Sequence, residues 1–240
     1  MAIIERSRNA YQRMEMTMSR INEKEQIDHL IEELARSSHI PIELYLIGGG
    51  ALMYHGSKMS TKDLDFIVCS NEEFDELRSV LISMGYNDAM PTPGFSHANV
   101  KAMMVKGDLR LDIFLEKVCG KLRLSDNMRS RSKNVTSYDE VRMNVCDKGD
   151  IFIFKSITDR PGDTDDCVNL IKHGGIDWNT MLSEIIDQIR SGEQIWITYI
   201  CDKLHDIAKE SMAEIPIIDD IDRLNAEYCD RYMAEHDMLL

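Results

Sequence analysis

Ile42-Glu43-Leu44-Tyr45-Leu46-Ile47-Gly48-Gly49-Gly50-Ala51-Leu52-Met53-Tyr54-His55-Gly56 is the stretch on which the fold turns. Ile42 to Ile47 is a compact apolar run of strand length that ends in three glycines, and Ala51 to Tyr54 then reads as a short helix stopped by Gly56. The unit is therefore strand, glycine turn, helix. Upstream, Ile21, Ile27, Leu30, Ile31 and Leu34 recur at helical spacing, which predicts an amphipathic helix over about residues 22–37 before Pro41 breaks the chain.

Downstream, Asp63 to Cys69 alternates and then turns apolar, as a strand does, and Ser70 or Asn71 can cap a helix carrying Phe74, Leu77, Val80 and Leu81 up to Gly85. Pro91, Pro93 and Gly94 predict a loop. Ala98 to Val105 and Leu109 to Leu115 are two strand candidates separated by Lys106-Gly107-Asp108, a hairpin signal. Val141 to Cys146 predicts another strand, whereas Ile151 to Ile157 fits a strand or a helix equally well. From Asp163 onward the spacing is helical: Cys167, Leu170 and Ile171, then Met181 to Ile189, Ile195 to Ile207, and a last helix from about Asp219. The expected fold class is α/β (α+β), a mixed sheet with flanking helices in residues 1–160 followed by a helical lobe in residues 161–240.

Candidate chemistry begins at Thr61-Lys62-Asp63-Leu64-Asp65-Phe66. On a strand, residues two apart share a face, so Asp63 and Asp65 project together while Leu64 and Phe66 enter the core. Two such carboxylates repel, and a hard divalent cation with oxygen ligands resolves the repulsion. A solvated strand edge is the plainer alternative. On another strand, Arg110-Leu111-Asp112-Ile113-Phe114 sets an acid among apolar neighbours, where a carboxylate needs a partner, and a shared metal is one. The glycines at 48–50 fit close backbone approach to a phosphate, though neither a dinucleotide fingerprint nor a P-loop is present.

Gly48-Gly49-Gly50-Ala51-Leu52, Gly56, Thr61, Asp63-x-Asp65 and Leu111-Asp112, in that order, resemble the DNA-polymerase-beta-like nucleotidyltransferases, particularly small bacterial and archaeal members of the antibiotic nucleotidyltransferase and toxin–antitoxin type. The resemblance covers about residues 42–115. It implies a nucleotidyltransferase-like fold, glycines at 48, 49 and 50 that position a nucleoside triphosphate, and Asp63, Asp65 and Asp112 as catalytic ligands of Mg²⁺ or Mn²⁺. The implied reaction moves a nucleoside monophosphate to a hydroxyl of a small molecule or macromolecule. Where many members have serine, this chain has Gly50, and one hydroxyl donor is lost. A weaker likeness at Lys155-x(4)-Arg160 with Asp163 and Asp166 implies phosphate contact by Lys155 and Arg160, or a salt-bridged helix start with both acids as partners of Arg160. A noncatalytic antitoxin-like protein that binds a protein partner through its helices, and a nucleotide-binding regulator, are the alternatives.

The formal net charge of −14 disfavours long nucleic acid, because such binding rests on cations that neutralise phosphates. Lys117 to Lys133 is the local exception, either as a patch or as a solvated loop. No apolar run has the length of a membrane span and Met1 to Arg20 lacks a signal-like apolar block, so a cytoplasmic protein is expected. Six cysteines without a CxxC pair predict reduced thiols. His55 and His97 are candidate substrate contacts, and Cys201 with His205 one helical turn later supplies only two metal ligands, too few to close a site.

Overall fold

The structure is a computed structural model that describes residues 20–90, 100–158, 160–191 and 194–237. The loop prolines Pro91 and Pro93, Gly94 and His97 lie outside the described residues. The first helix, α1 (Lys24–Ser37), opens with the Gln26 Oε1 accepting from the Glu23 backbone N–H at 3.0 Å, and buries Ile27, Leu30, Ile31 and Leu34 along one face. Strand β1 (Ile42–Ile47) follows, nearly all of it buried, as the unbroken apolar run requires of a central strand.

Helix α2 (Gly48–Tyr54) starts at the first glycine, so the glycines form its first turn and not a turn ahead of it. Strand β2 (Asp63–Val68) and helix α3 (Asn71–Ser83) come next, the helix capped by Ser70, whose hydroxyl accepts from the Glu73 N–H. Strands β3 (Asn87–Ala89), β4 (Ala102–Lys106) and β5 (Leu109–Leu115) continue the sheet, β4 and β5 joined across Gly107 and Asp108 with Lys106 opposite Leu109.

Lys117 to Lys133, which the sequence leaves as a basic patch or a solvated loop, carries regular structure. It holds a two-stranded ribbon, β6 (Lys117–Val118) with β7 (Leu122–Arg123), the short helix α4 (Asp126–Arg131), and the first residue of β8 (Lys133–Tyr138). Strand β9 (Val141–Val145) then completes a seven-stranded mixed sheet in the order β3-β4-β5-β2-β1-β9-β8. Its central pairs are parallel for β2 with β5 and for β1 with β9, and antiparallel for β1 with β2.

The ambiguous run resolves as helix α5 (Lys148–Ser156), which Asp147 starts by accepting from the Gly149 N–H at 2.9 Å. Ile151, Phe152, Ile153 and Phe154 are all buried because α5 touches α2 and three later helices, so no side of it faces solvent to give a helical period. Those later helices are α6 (Pro161–His173), α7 (Trp178–Ser191) and α8 (Trp196–Ser211); α9 (Ile218–Asp237) then packs on α8. All six cysteines are free thiols. Among the described residues no helix is long and apolar enough to cross a membrane.

Candidate active site

Strand register assembles the acids. β2 and β5 run parallel with Asp65 opposite Asp112 and Asp63 opposite Arg110, and paired residues in a ladder share a face. Asp63, Asp65, Arg110 and Asp112 therefore occupy one face of two adjacent strands. Thr61, buried just ahead of β2, donates its hydroxyl to the Asp63 carbonyl at 2.9 Å and exchanges backbone hydrogen bonds with Ile21, which fixes the entry to the strand.

The three glycines serve three different contacts. Gly48 has φ +62°, and a Cβ placed there would lie 1.9 Å from the Asp65 Oδ2, so neither backbone nor space admits a side chain. A Cβ at Gly49 would lie 2.4 Å from the Thr61 Oγ1. At Gly50 it would meet Leu64 and Leu46 side chains at 2.7 and 3.0 Å, so this position faces the core, and a side chain there would point into apolar residues. The start of α2 thus lies directly against the acids.

Arg110, which sequence reasoning passed over, is the counter-charge. Its Nη2 contacts the Asp63 Oδ2, and its Nε lies 3.1 Å from the Asp112 Oδ1. That second contact lacks hydrogen-bond alignment, so the buried Asp112 Oδ1 is an acceptor without a hydrogen bond. Arg110 contacts two of the three carboxylates. Burial first, then repulsion from Asp63 and Asp112, pushes Asp65 up to about 7. Burial likewise pushes Asp112 up to about 6, against the pull of Arg110.

A second charged cluster faces this one from α5 and α6. The Lys155 Nζ is buried 2.7 Å from Asp163 and 2.8 Å from Asp166, and Arg160 Nε lies 2.7 Å from Asp163. Asp163 is thus a partner of Arg160, as the sequence suggested, whereas Asp166 pairs with Lys155 and with Lys58 at 2.9 Å. Against the cost of burial, Lys155 and Arg160 hold Asp163 down to about 2. Both cations also act on Asp65, lowering its pKa, so the cluster lies within electrostatic reach of the acids. Lys58 went unnoticed in the sequence; its Nζ lies 3.6 Å from where a Gly49 Cβ would stand.

Other candidates fall elsewhere. The His55 Nε2 is bonded to the Cys146 carbonyl at 2.8 Å, which ties α2 to the end of β9, and burial lowers its pKa. In the run from Lys117 to Lys133, three of the cations have partners within the protein. Arg131 turns inward to Asp150 and Glu184, Arg129 pairs with Asp126, and Lys121 sits 4.0 Å from the centre of the Tyr199 ring.

A mixed sheet with two carboxylates on one strand, a third opposite them on the parallel neighbour, and a glycine-opened helix set against them defines a nucleotidyltransferase-type protein. Residues 23–210 match the family described as nucleotidyltransferase of unknown function (DUF6036), and the chain belongs to that family. No curated protein matches it. Among solved structures, it is similar to the crystal structure of ANT(2″)-Ia in complex with adenylyl-2″-tobramycin, at 16% identity and a TM-score of 0.44 over 69% of this chain and 98% of that one. It is also similar to the solution structure of the antibiotic-resistance factor ANT(2″)-Ia, at 16% identity and a TM-score of 0.39 over 90% of this chain and 98% of that one. Similarity at this level fixes no substrate.

Proposed function

We propose that the protein moves a nucleoside monophosphate from a nucleoside triphosphate to a hydroxyl group, with Asp63, Asp65 and Asp112 as ligands of Mg²⁺ or Mn²⁺. The observation that carries this reading is the register of Asp65 opposite Asp112, which gathers three carboxylates on one face of two adjacent strands, close enough that Asp63 and Asp112 repel Asp65. The donor set fits such an ion, since carboxylate oxygens alone suit Mg²⁺ and Mn²⁺ over softer metals. Bound there, the metal supplies charge stabilisation for the transferring phosphoryl group and acidifies the attacking hydroxyl.

The protein's own groups do the rest. Gly48 and Gly49 let the backbone at the start of α2 close on Asp65 and Thr61, where its N–H groups can meet a triphosphate, and Lys58 and Arg160 bring positive charge to that side. Asp112 takes the proton of the acceptor hydroxyl. The hydroxyl oxygen then bonds to the α-phosphorus as the bond to the β-phosphate breaks, and pyrophosphate leaves in line. Lys155 holds Asp163 and Asp166, and through them Arg160 and Lys58, at that side of the site.

A second reading, a noncatalytic nucleotide binder, draws on Arg110, which already supplies cationic charge to Asp63 and Asp112. Calorimetric titration of Mg²⁺ and Mn²⁺ in the presence of a nonhydrolysable triphosphate analogue, on the wild type and on Asp63→Asn, Asp65→Asn and Asp112→Asn, separates the readings. The metal-site reading expects each variant to bind metal at least about tenfold more weakly. Equal affinity in all four proteins defeats it.

A further inference from the structure

Cys201 and His205 are one turn apart on α8, and the structure supplies the third group that the sequence did not disclose. Asp222, in the second turn of α9, places its Oδ1 3.3 Å from the Cys201 Sγ and 2.7 Å from the His205 Nε2. Thiol and imidazole converge on the same oxygen and not on each other, so the arrangement does not read as a base activating a nucleophile. It reads as three donor atoms gathered about a common point. All three lie within 4.8 Å of one another.

From this convergence we propose a zinc site at Cys201, His205 and Asp222, apart from the acids of the sheet. One thiolate, one imidazole and one carboxylate form a set that zinc accepts and that Mg²⁺, which takes oxygen ligands, does not. Around a tetrahedral zinc such atoms stand roughly 3.3 to 3.8 Å apart, so the His205 Nε2 and the Asp222 Oδ1, now 2.7 Å apart, need to separate by about 0.6 Å or more. Both are free to do so, with side chains 53% and 43% exposed, while Cys201 is buried and fixed between the helices. The exposed side leaves a fourth position to water. Binding forms a Zn–S bond and releases the Cys201 thiol proton to solvent, and the two negative charges of thiolate and carboxylate neutralise the ion.

The site joins α8 to α9 across the turn between them, so zinc acts as a staple on the last helix. Asp222 lies beyond residue 210, where the family match ends, so the third ligand comes from a part of the chain outside the shared family sequence.

The test uses the whole protein, reduced with a phosphine so that no thiol reagent competes for metal. Cobalt(II) serves as a visible probe and zinc displaces it. One equivalent of cobalt(II) is expected to give a thiolate charge-transfer band with tetrahedral visible bands, lost on adding zinc. Cys201→Ser should remove the band, and His205→Gln and Asp222→Asn should weaken zinc binding at least tenfold. The last two are surface changes, so they carry the test even if Cys201→Ser fails to fold. Asp65→Asn should keep the band, which separates this site from the acids of β2 and β5. Absence of a thiolate band at one equivalent of cobalt(II), or wild-type zinc affinity in His205→Gln and Asp222→Asn, overturns the proposal.

Discussion

Two groups of charges face one another in this molecule, and their carboxylates move in opposite directions. On β2 and β5, Asp65 is pushed up to about 7 and Asp112 to about 6, while across from them Asp163 is held down to about 2. All three sit in protein. The difference is the supply of cations: Asp163 has Lys155 and Arg160 within hydrogen-bond distance, whereas Arg110 contacts Asp63 and Asp112, and both of those acids repel Asp65. A balanced buried cluster holds helices in place, and an unbalanced one holds its protons to a higher pH.

The most severe way to strain that contrast is Lys155→Ala. It leaves Asp163 and Asp166 short of a buried partner, and urea unfolding should show a loss of roughly 3 to 5 kcal/mol. A loss below about 1 kcal/mol would mean the cluster is no scaffold. Next comes Gly48→Ala, which forces a side chain into left-handed backbone at about 1 to 2 kcal/mol and also onto the Asp65 carboxylate. Its thermal midpoint should fall and metal affinity should fall with it; a variant that melts early yet binds metal normally would detach the glycine from the acids.

The pH dependence of stability is smaller but separates the two groups by window. Asp65 and Asp112 have folded pKa values above the ordinary 3.8, so between about pH 4 and 7 the folded protein keeps protons that the unfolded chain has lost. Metal-free protein should therefore lose stability as pH rises through that window. Asp163 has the opposite sign: its contribution is present above about pH 4 and is lost as pH falls toward 2. Asp65→Asn should flatten the upper arm, gaining on the order of 1 kcal/mol at pH 8 without divalent ions, and should leave the lower arm alone. An unchanged upper arm would show that the acids carry no surplus charge. Lys121, set over the Tyr199 ring and belonging to neither cluster, marks the bottom of the scale: Lys121→Ala should cost about 0.5 to 1 kcal/mol in the same urea assay.

Much of this was legible in the sequence where one local rule governed. The period of α1, the apolar run of β1, the turn at Gly107 and Asp108, and the shared face of Asp63 and Asp65 each follow from a few neighbouring residues. Strand β8 was not legible, because Thr136 is its one buried residue and a polar edge strand shows no alternation. The glycines read as a turn because glycine is a poor helix former, yet close packing against Asp65, Thr61 and Leu64 overrides that propensity. Arg110, Lys58 and Asp222 stayed hidden for one reason. Each takes its meaning from a partner brought near only by tertiary contact, although Arg110 could have been suspected from its place two residues before Asp112 on the same strand.

The pairing of Asp65 with Asp112 has a consequence for how such a chain can vary. Between the two strands the chain runs through α3, β3 and β4, and segments of that excursion can lengthen or shorten without touching the site, because strand faces, not chain length, set the register. Parity is what cannot drift. A single residue added inside β5 ahead of Asp112 would turn the acid to the far face of the sheet, and a second would return it to the near face about two residues out of step. Length along that path can change in a turn between elements, whereas inside a strand odd and even decide which side of the sheet an acid sees.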